Sequence, residues 1–262
     1  MKMILLAGFV VLLAAGMATV RADDWSKTYT VTGKPELRVD TNDGNVSVTT
    51  WDRDKIEATV STEGWRIGPD DVRIRESQSG ASVDLDVHVP NRWGIGGHRR
   101  VSIELKVPRE DSVDIHTGDG NISLEDVKGD LRLHSGDGRI EGTGLDGRLE
   151  AKSGDGNIRV RGRFDVVRLE TGDGQINAEA GSGSKMASDW SARSGDGSIN
   201  LRVPGDLNAQ LDLHTGDGHI TLDFPVTVSG SVSRSTIRGQ LNGGGPTLTV
   251  HTGDGSIRLE KL

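Results

Sequence analysis

The chain has 262 residues and a formal net charge of −8, with 37 glycines, no cysteine, 3% aromatic and 33% hydrophobic residues. The acidic balance disfavours non-specific binding to nucleic acid or anionic lipid. The missing cysteines exclude disulfides and cysteine-linked lipid, and so few large side chains exclude a conventional core, leaving disorder or a stacked repeat.

Residues 1–22 read as a secretory signal peptide. Lys2 precedes an apolar run from Ile4 to Val20, and Val20 and Ala22 fit the small-residue cleavage rule. Its removal takes Lys2 and Arg21 away and moves the net charge to −10. No later segment approaches a spanning length, so the mature chain is expected without a transmembrane segment, in a periplasm, at a cell surface or outside the cell.

Residues 23–112 form a less regular β region. Leu37, Val39, Thr41, Val46 and Val48 alternate around Asn42-Asp43-Gly44 and form a first repeat unit. Alternating stretches follow at 56–60, 83–89 and 101–107. The last two flank a glycine-rich loop, 90–100, in which Trp93, His98, Arg99 and Arg100 join an aromatic ring to local positive charge. These four are the candidate ligand contacts, toward a surface glycan or an envelope protein.

Residues 113–262 are dominated by Gly-Asp-Gly. Its aspartates are Asp119, Asp137, Asp155, Asp173, Asp196, Asp217 and Asp254, at intervals of 18, 18, 18, 23, 21 and 37 residues; Asp43 belongs to the early copy. Counting from each aspartate, position +3 is isoleucine every time, as in Ile122 and Ile140 (Val46 in the early copy). Position −2 is Ser or Thr, and −4 and −6 are mostly apolar. Period-two alternation with charged residues between, such as Arg132 and Glu150, marks strands with one buried face. Each unit is therefore two short strands joined by a tight turn, with glycine read as the residue that permits positive φ. Parallel stacking of units of about 18–23 residues gives an all-β, β-helix-like solenoid, with the −2 hydroxyls bonding along the axis. The long last interval hides one unit. Val228, Val232 and Ile237 fit it if Ser233-Arg234-Ser235 replaces Gly-Asp-Gly. The C-terminal 257–262 runs off the last unit uncapped, which leaves an open edge for end-to-end stacking.

Stacked aspartates would stand about 5 Å apart. One carboxylate per unit is too few for calcium, and a glycosidase pair would be unique rather than repeated. The aspartates are read instead as turn formers that bond nearby backbone N–H groups. His116, His134, His214 and His251 share position −3 with Lys152, Glu170 and Arg193, which suits an outward polar site better than a metal. His88 and His219 join no cluster. No nucleophile constellation or phosphate loop occurs, so no catalytic residue, metal or cofactor is expected.

The repeated [Thr/Ser]-Gly-Asp-Gly-x-Ile, Trp51-Asp52 after an early strand, and Val107-Pro108 before the regular units resemble the bacterial putative-adhesin family of β-strand-repeat proteins. That domain of unknown function is similar to the head domain of autotransporter adhesins. The resemblance covers about residues 30–262. It implies a right-handed β-solenoid, an envelope or extracellular location and no catalytic residues. The reading is a non-catalytic exported adhesin or scaffold acting through an extended β face. A β-helix enzyme using stacked aspartates and a self-stacking polymer are the alternatives.

Overall fold

The computed structural model describes residues 22–90, 99–225 and 227–262. Among them every regular element is a β-strand. The N-terminal part holds β1 (Ala22–Thr30), β2 (Glu36–Thr41), β3 (Asn45–Trp51), β4 (Lys55–Glu63), β5 (Arg73–Ser79), β6 (Ser82–His88) and β7 (Arg100–Pro108). Next come β8 (Glu110–Thr117), β9 (Ile122–Glu125), β10 (Lys128–Ser135), β11 (Ile140–Ser153), β12 (Ile158–Thr171) and β13 (Ile176–Ala180). The chain continues with β14 (Trp190–Ser194), β15 (Ile199–Val203), β16 (Ala209–Thr215), β17 (Ile220–Leu222) and β18 (Thr227–Val232). It ends with β19 (Thr236–Leu241), β20 (Thr247–Thr252) and β21 (Ile257–Lys261). The signal-peptide expectation falls outside the described residues, apart from Ala22.

Alternation makes the strands. In β2, Leu37, Val39 and Thr41 are buried while Glu36, Arg38 and Asp40 are exposed. Residues before each corner pair in one set of parallel ladders, running β6–β2–β8–β10–β11–β12–β14–β20–β16. Residues after each corner pair in a second set, β7–β3–β9–β11–β12–β13–β15–β21–β17. The long β11 and β12 serve both sets, with register shifts near Gly142 and Gly147 where they bend. Like residues stand in register, Ile122 with Ile140, Ile158 and Ile176, and these side chains fill a continuous core between the two sets.

Three expectations need correction. The pairing is mixed rather than uniformly parallel. β4 runs antiparallel to β1 and β7, β5 to β6, and β19 to β16 and β18. The hidden unit at 228–237 is not a further turn of the stack. Its strands are the antiparallel hairpin β18–β19, turned at Ser233–Ser235, where Ser233 Oγ accepts from the Thr236 N–H at 3.0 Å. Nor does the C-terminus form an open edge, because β20 lies between β14 and β16 and β21 between β15 and β17. The first unit is displaced likewise, β2–β3 sitting between β6–β7 and β8–β9.

Cross-strand charge is one physical reason for that early displacement. The pairing places Arg38 between Asp84 and Asp114, whereas chain order would set the two aspartates side by side. Opposite charges then continue along the ladder through Arg132, Glu150 and Arg168. Such pairs favour one neighbour over another by some tenths of a kcal/mol each.

Candidate binding faces

The corners carry the most regular polar geometry. In stack order their aspartates are Asp43, Asp119, Asp137, Asp155, Asp173, Asp196, Asp254 and Asp217, all exposed. The turn-forming work expected of them falls to the buried Ser/Thr at −2. Ser135 Oγ donates to the Gly120 carbonyl of the neighbouring unit at 2.8 Å and accepts from its own Gly138 N–H at 2.9 Å. Ser153 does the same with Gly138 and Gly156, and Ser194 with Gly174 and Gly197. Among the described residues no corner aspartate side chain accepts a hydrogen bond from a backbone N–H. Thr41 closes the series, its buried hydroxyl having no partner among them.

The corner glycines also differ from expectation. None of them has positive φ. They are required by close approach, since the Gly136 N–H donates to the Gly118 carbonyl of the next unit at 2.6 Å and a Cβ on Gly138 would lie 1.9 Å from the Gly120 oxygen. The carboxylates stand outside this stack. Partial desolvation, and secondarily Asp119, raise the pKa of Asp43.

The histidines pair two by two. The rings of His116 and His134 lie 4.6 Å apart and those of His214 and His251 5.9 Å. Burial lowers the pKa of His134, helped by His116 and Lys152. His251 is lowered by burial too, against the pull of Asp212. Among the described residues no group of three or more His, Cys, Asp or Glu side chains could hold a metal ion. His219 meets the Ser256 hydroxyl at 3.0 Å, and His88 sits on β6 opposite Arg73.

Of the loop candidates, Trp93 and His98 lie outside the described residues. Arg99 rests its guanidinium 4.4 Å from the centre of the Trp65 ring, and Arg100 stands opposite Glu63 on the β4–β7 ladder.

Two polar columns escaped the sequence reading. At +2, side chains bond the next unit's backbone: Asn121 Oδ1 accepts from Arg139 N–H at 2.9 Å and Asn157 Oδ1 from Gln175 N–H at 2.7 Å. At +4 and +6, outward residues form a face rich in arginine on β12, β15 and β21. Counting polar residues at the same period as the isoleucines would have revealed the +2 column, whereas the arginine face emerges only from the order of the ladders.

A family model described as Toastrack DUF4097 matches residues 35–188 and 162–260. No curated protein matches the chain. Similar solved structures include one named "putative cell adhesion protein" from Clostridium sporogenes, with 11% identity over 92% of this chain and 100% of that one and a TM-score of 0.42. A "putative adhesin" from Parabacteroides merdae has 11% identity over 90% and 95%, with a TM-score of 0.46. A "Putative lipid binding protein" from Parabacteroides distasonis has 14% identity over 90% and 96%, also with a TM-score of 0.46.

Proposed function

Because the chain belongs to the Toastrack DUF4097 family, a family of adhesin-like proteins of unknown function, we propose that it is an exported, non-catalytic envelope protein that binds its partner through an extended β face. The stack is read as a right-handed β-solenoid closed at both ends by antiparallel strands. The supporting observation is repetition. The corner aspartates recur unit after unit along a continuous surface. A binding surface built that way grows with the number of units, whereas catalysis needs one unlike set of groups in one place. The leader-like first 22 residues support export.

Fractionation of producing cells, followed by binding of the purified protein to intact cells and isolated envelopes, tests this reading. Recovery outside the cytoplasm with saturable envelope binding is expected. Cytoplasmic recovery, or turnover of an acidic polysaccharide abolished by Asp137→Asn and Asp155→Asn, would overturn it.

A further inference from the structure

We propose that the outer face formed by β12, β13, β15 and β21 binds an acidic polysaccharide; this rests on the binding-face reading and gives it a site and a ligand class. The strands form an open trough of about 520 Å³. Arg159 and Arg161 of β12 line one side, Arg202 of β15 and Arg258 of β21 the other, and Asn177 and Asn200 lie between them. The two amides are joined, Asn200 Nδ2 donating to Asn177 Oδ1 at 3.0 Å.

Charge selects an anion. Glu179 lies between Arg161 at 3.1 Å and Arg202 at 2.7 Å. Glu141 lies between Arg139 at 3.6 Å and Arg159 at 3.7 Å, and Glu260 is 3.8 Å from Arg258. Five guanidinium groups thus face three carboxylates, a local excess of positive charge on a chain of net charge −8. The side chains of Arg159 and Arg161 are 70% and 66% exposed, so the N–H groups turned away from Glu141 and Glu179 are accessible to a ligand carboxylate or sulfate. The aspartate corners border the face and would repel a polyanion there, confining it to the trough.

Spacing and floor chemistry select a sugar. Arg161 and Arg202 share Glu179 and act as one locus, whereas Arg159 and Arg258 lie three strand steps apart along the ladder, about 14 Å between their backbones. Charges carried on alternate rings of a polysaccharide fall at comparable intervals. Side-chain amides both donate to and accept from sugar hydroxyls. Nucleic acid fits less well, since among the described residues the one exposed large hydrophobic side chain is Leu262, which leaves no aromatic platform for bases.

The test is affinity electrophoresis and calorimetry of the full-length protein with polygalacturonate, chondroitin sulfate, neutral dextran and polyphosphate. Binding to the two acidic glycans, weakening as salt rises, with none to dextran, is expected. Arg159→Gln combined with Arg258→Gln should weaken it at least about tenfold, and Arg161→Glu should weaken it further, with unchanged melting curves because all three side chains are exposed. Equal binding by the variants, no binding to either acidic glycan, or equally tight binding to polyphosphate would overturn the assignment. If wild-type and variant proteins bind isolated envelopes equally well, the arginine face falls while the envelope-binding reading stands. Loss of envelope binding by the wild type itself overturns the wider reading.

Discussion

Ser153 sits where two backbone groups would otherwise be stranded. Its hydroxyl satisfies the Gly138 carbonyl and the Gly156 N–H in a buried corner. Leaving buried polar groups unpaired costs about 1–3 kcal/mol, so Ser153→Ala should lose that much in urea melts. The exposed Asp155, two residues on, has no such bonds, and Asp155→Asn should change stability by less than about 0.5 kcal/mol. The reverse ranking would restore the aspartate as the turn former. Asp111 poses the opposite problem. It is fully buried on β8, and among the described residues neither carboxylate oxygen has a hydrogen-bond partner of good geometry, the Ser112 N–H lying near without one. Its neighbour across the ladder is Gly129, which offers no side chain. Burial pushes its pKa up to about 7 from 3.8, with Glu36 adding to the rise and the Ser112 backbone and Lys34 opposing it. Between those values the folded chain holds a proton that the unfolded chain has released. The contribution of this one group is therefore full below about pH 4 and declines as pH rises toward 7, by up to about 4 kcal/mol. Asp111→Asn should flatten that decline and raise the melting temperature more at pH 8 than at pH 5. An unchanged pH profile in thermal melts would show that Asp111 does not cause it.

At the scale of strands, β20 and β21 are enclosed by strands that precede them in the chain. β20 and β21 separate β14 and β15 from β16 and β17, so deleting 247–262 removes the partner on both sides. Hydrogen exchange should then show lost protection in β16 and β19 as well as in β14 and β15. A simple terminal unit would leave β14–β16 protected, so retained protection there would contradict the inserted placement. This insertion was not legible in the sequence, and the reason is physical. Leu211, Leu248 and Trp190 occupy equivalent inward positions, and any of these strands can lie against any other at similar apolar gain. What was legible is what each unit repeats: the isoleucine column, the inward −6 and −4 residues, and the hydroxyls that bond along the axis. The glycine reading failed because a single sequence displays turn preference, whereas the approach of Gly138 to Gly120 is a contact between units. The arginine face was hidden for a related reason. Arg159 and Arg258 are far apart in sequence, and only the ladders through β13 and β15 bring them onto one face.

A whole stack of two sets of parallel strands has four terminal edges, and here antiparallel strands lie on three of them. At the far end β19 lies antiparallel on β16 and β18 lies on β19, while β17, which borders the other set, is only three residues long. At the near end β1 and β5 border the two sets and are clasped together. Lys27 Nζ is 2.5 Å from Glu76 Oε1, the Tyr29 hydroxyl donates to Glu76 Oε2 at 3.3 Å, and Gln78 Nε2 donates to the Thr30 carbonyl at 2.8 Å. Tyr29 is the anchor, being 2% exposed, with burial and Glu76 holding its hydroxyl protonated. These features oppose the self-stacking polymer at the near end, because a clasped, charged edge is a poor template for a second molecule. Tyr29→Ala would remove a buried ring at a cost of about 3 kcal/mol and loosen the clasp. Sedimentation velocity should find the wild type monomeric across a wide concentration range and Tyr29→Ala associating as concentration rises. Tyr29→Phe, which keeps the ring, should stay monomeric and lose less than about 1 kcal/mol. A destabilised but strictly monomeric Tyr29→Ala would mean that the clasp serves stability alone, and that the charge of the edge strands keeps the ends apart.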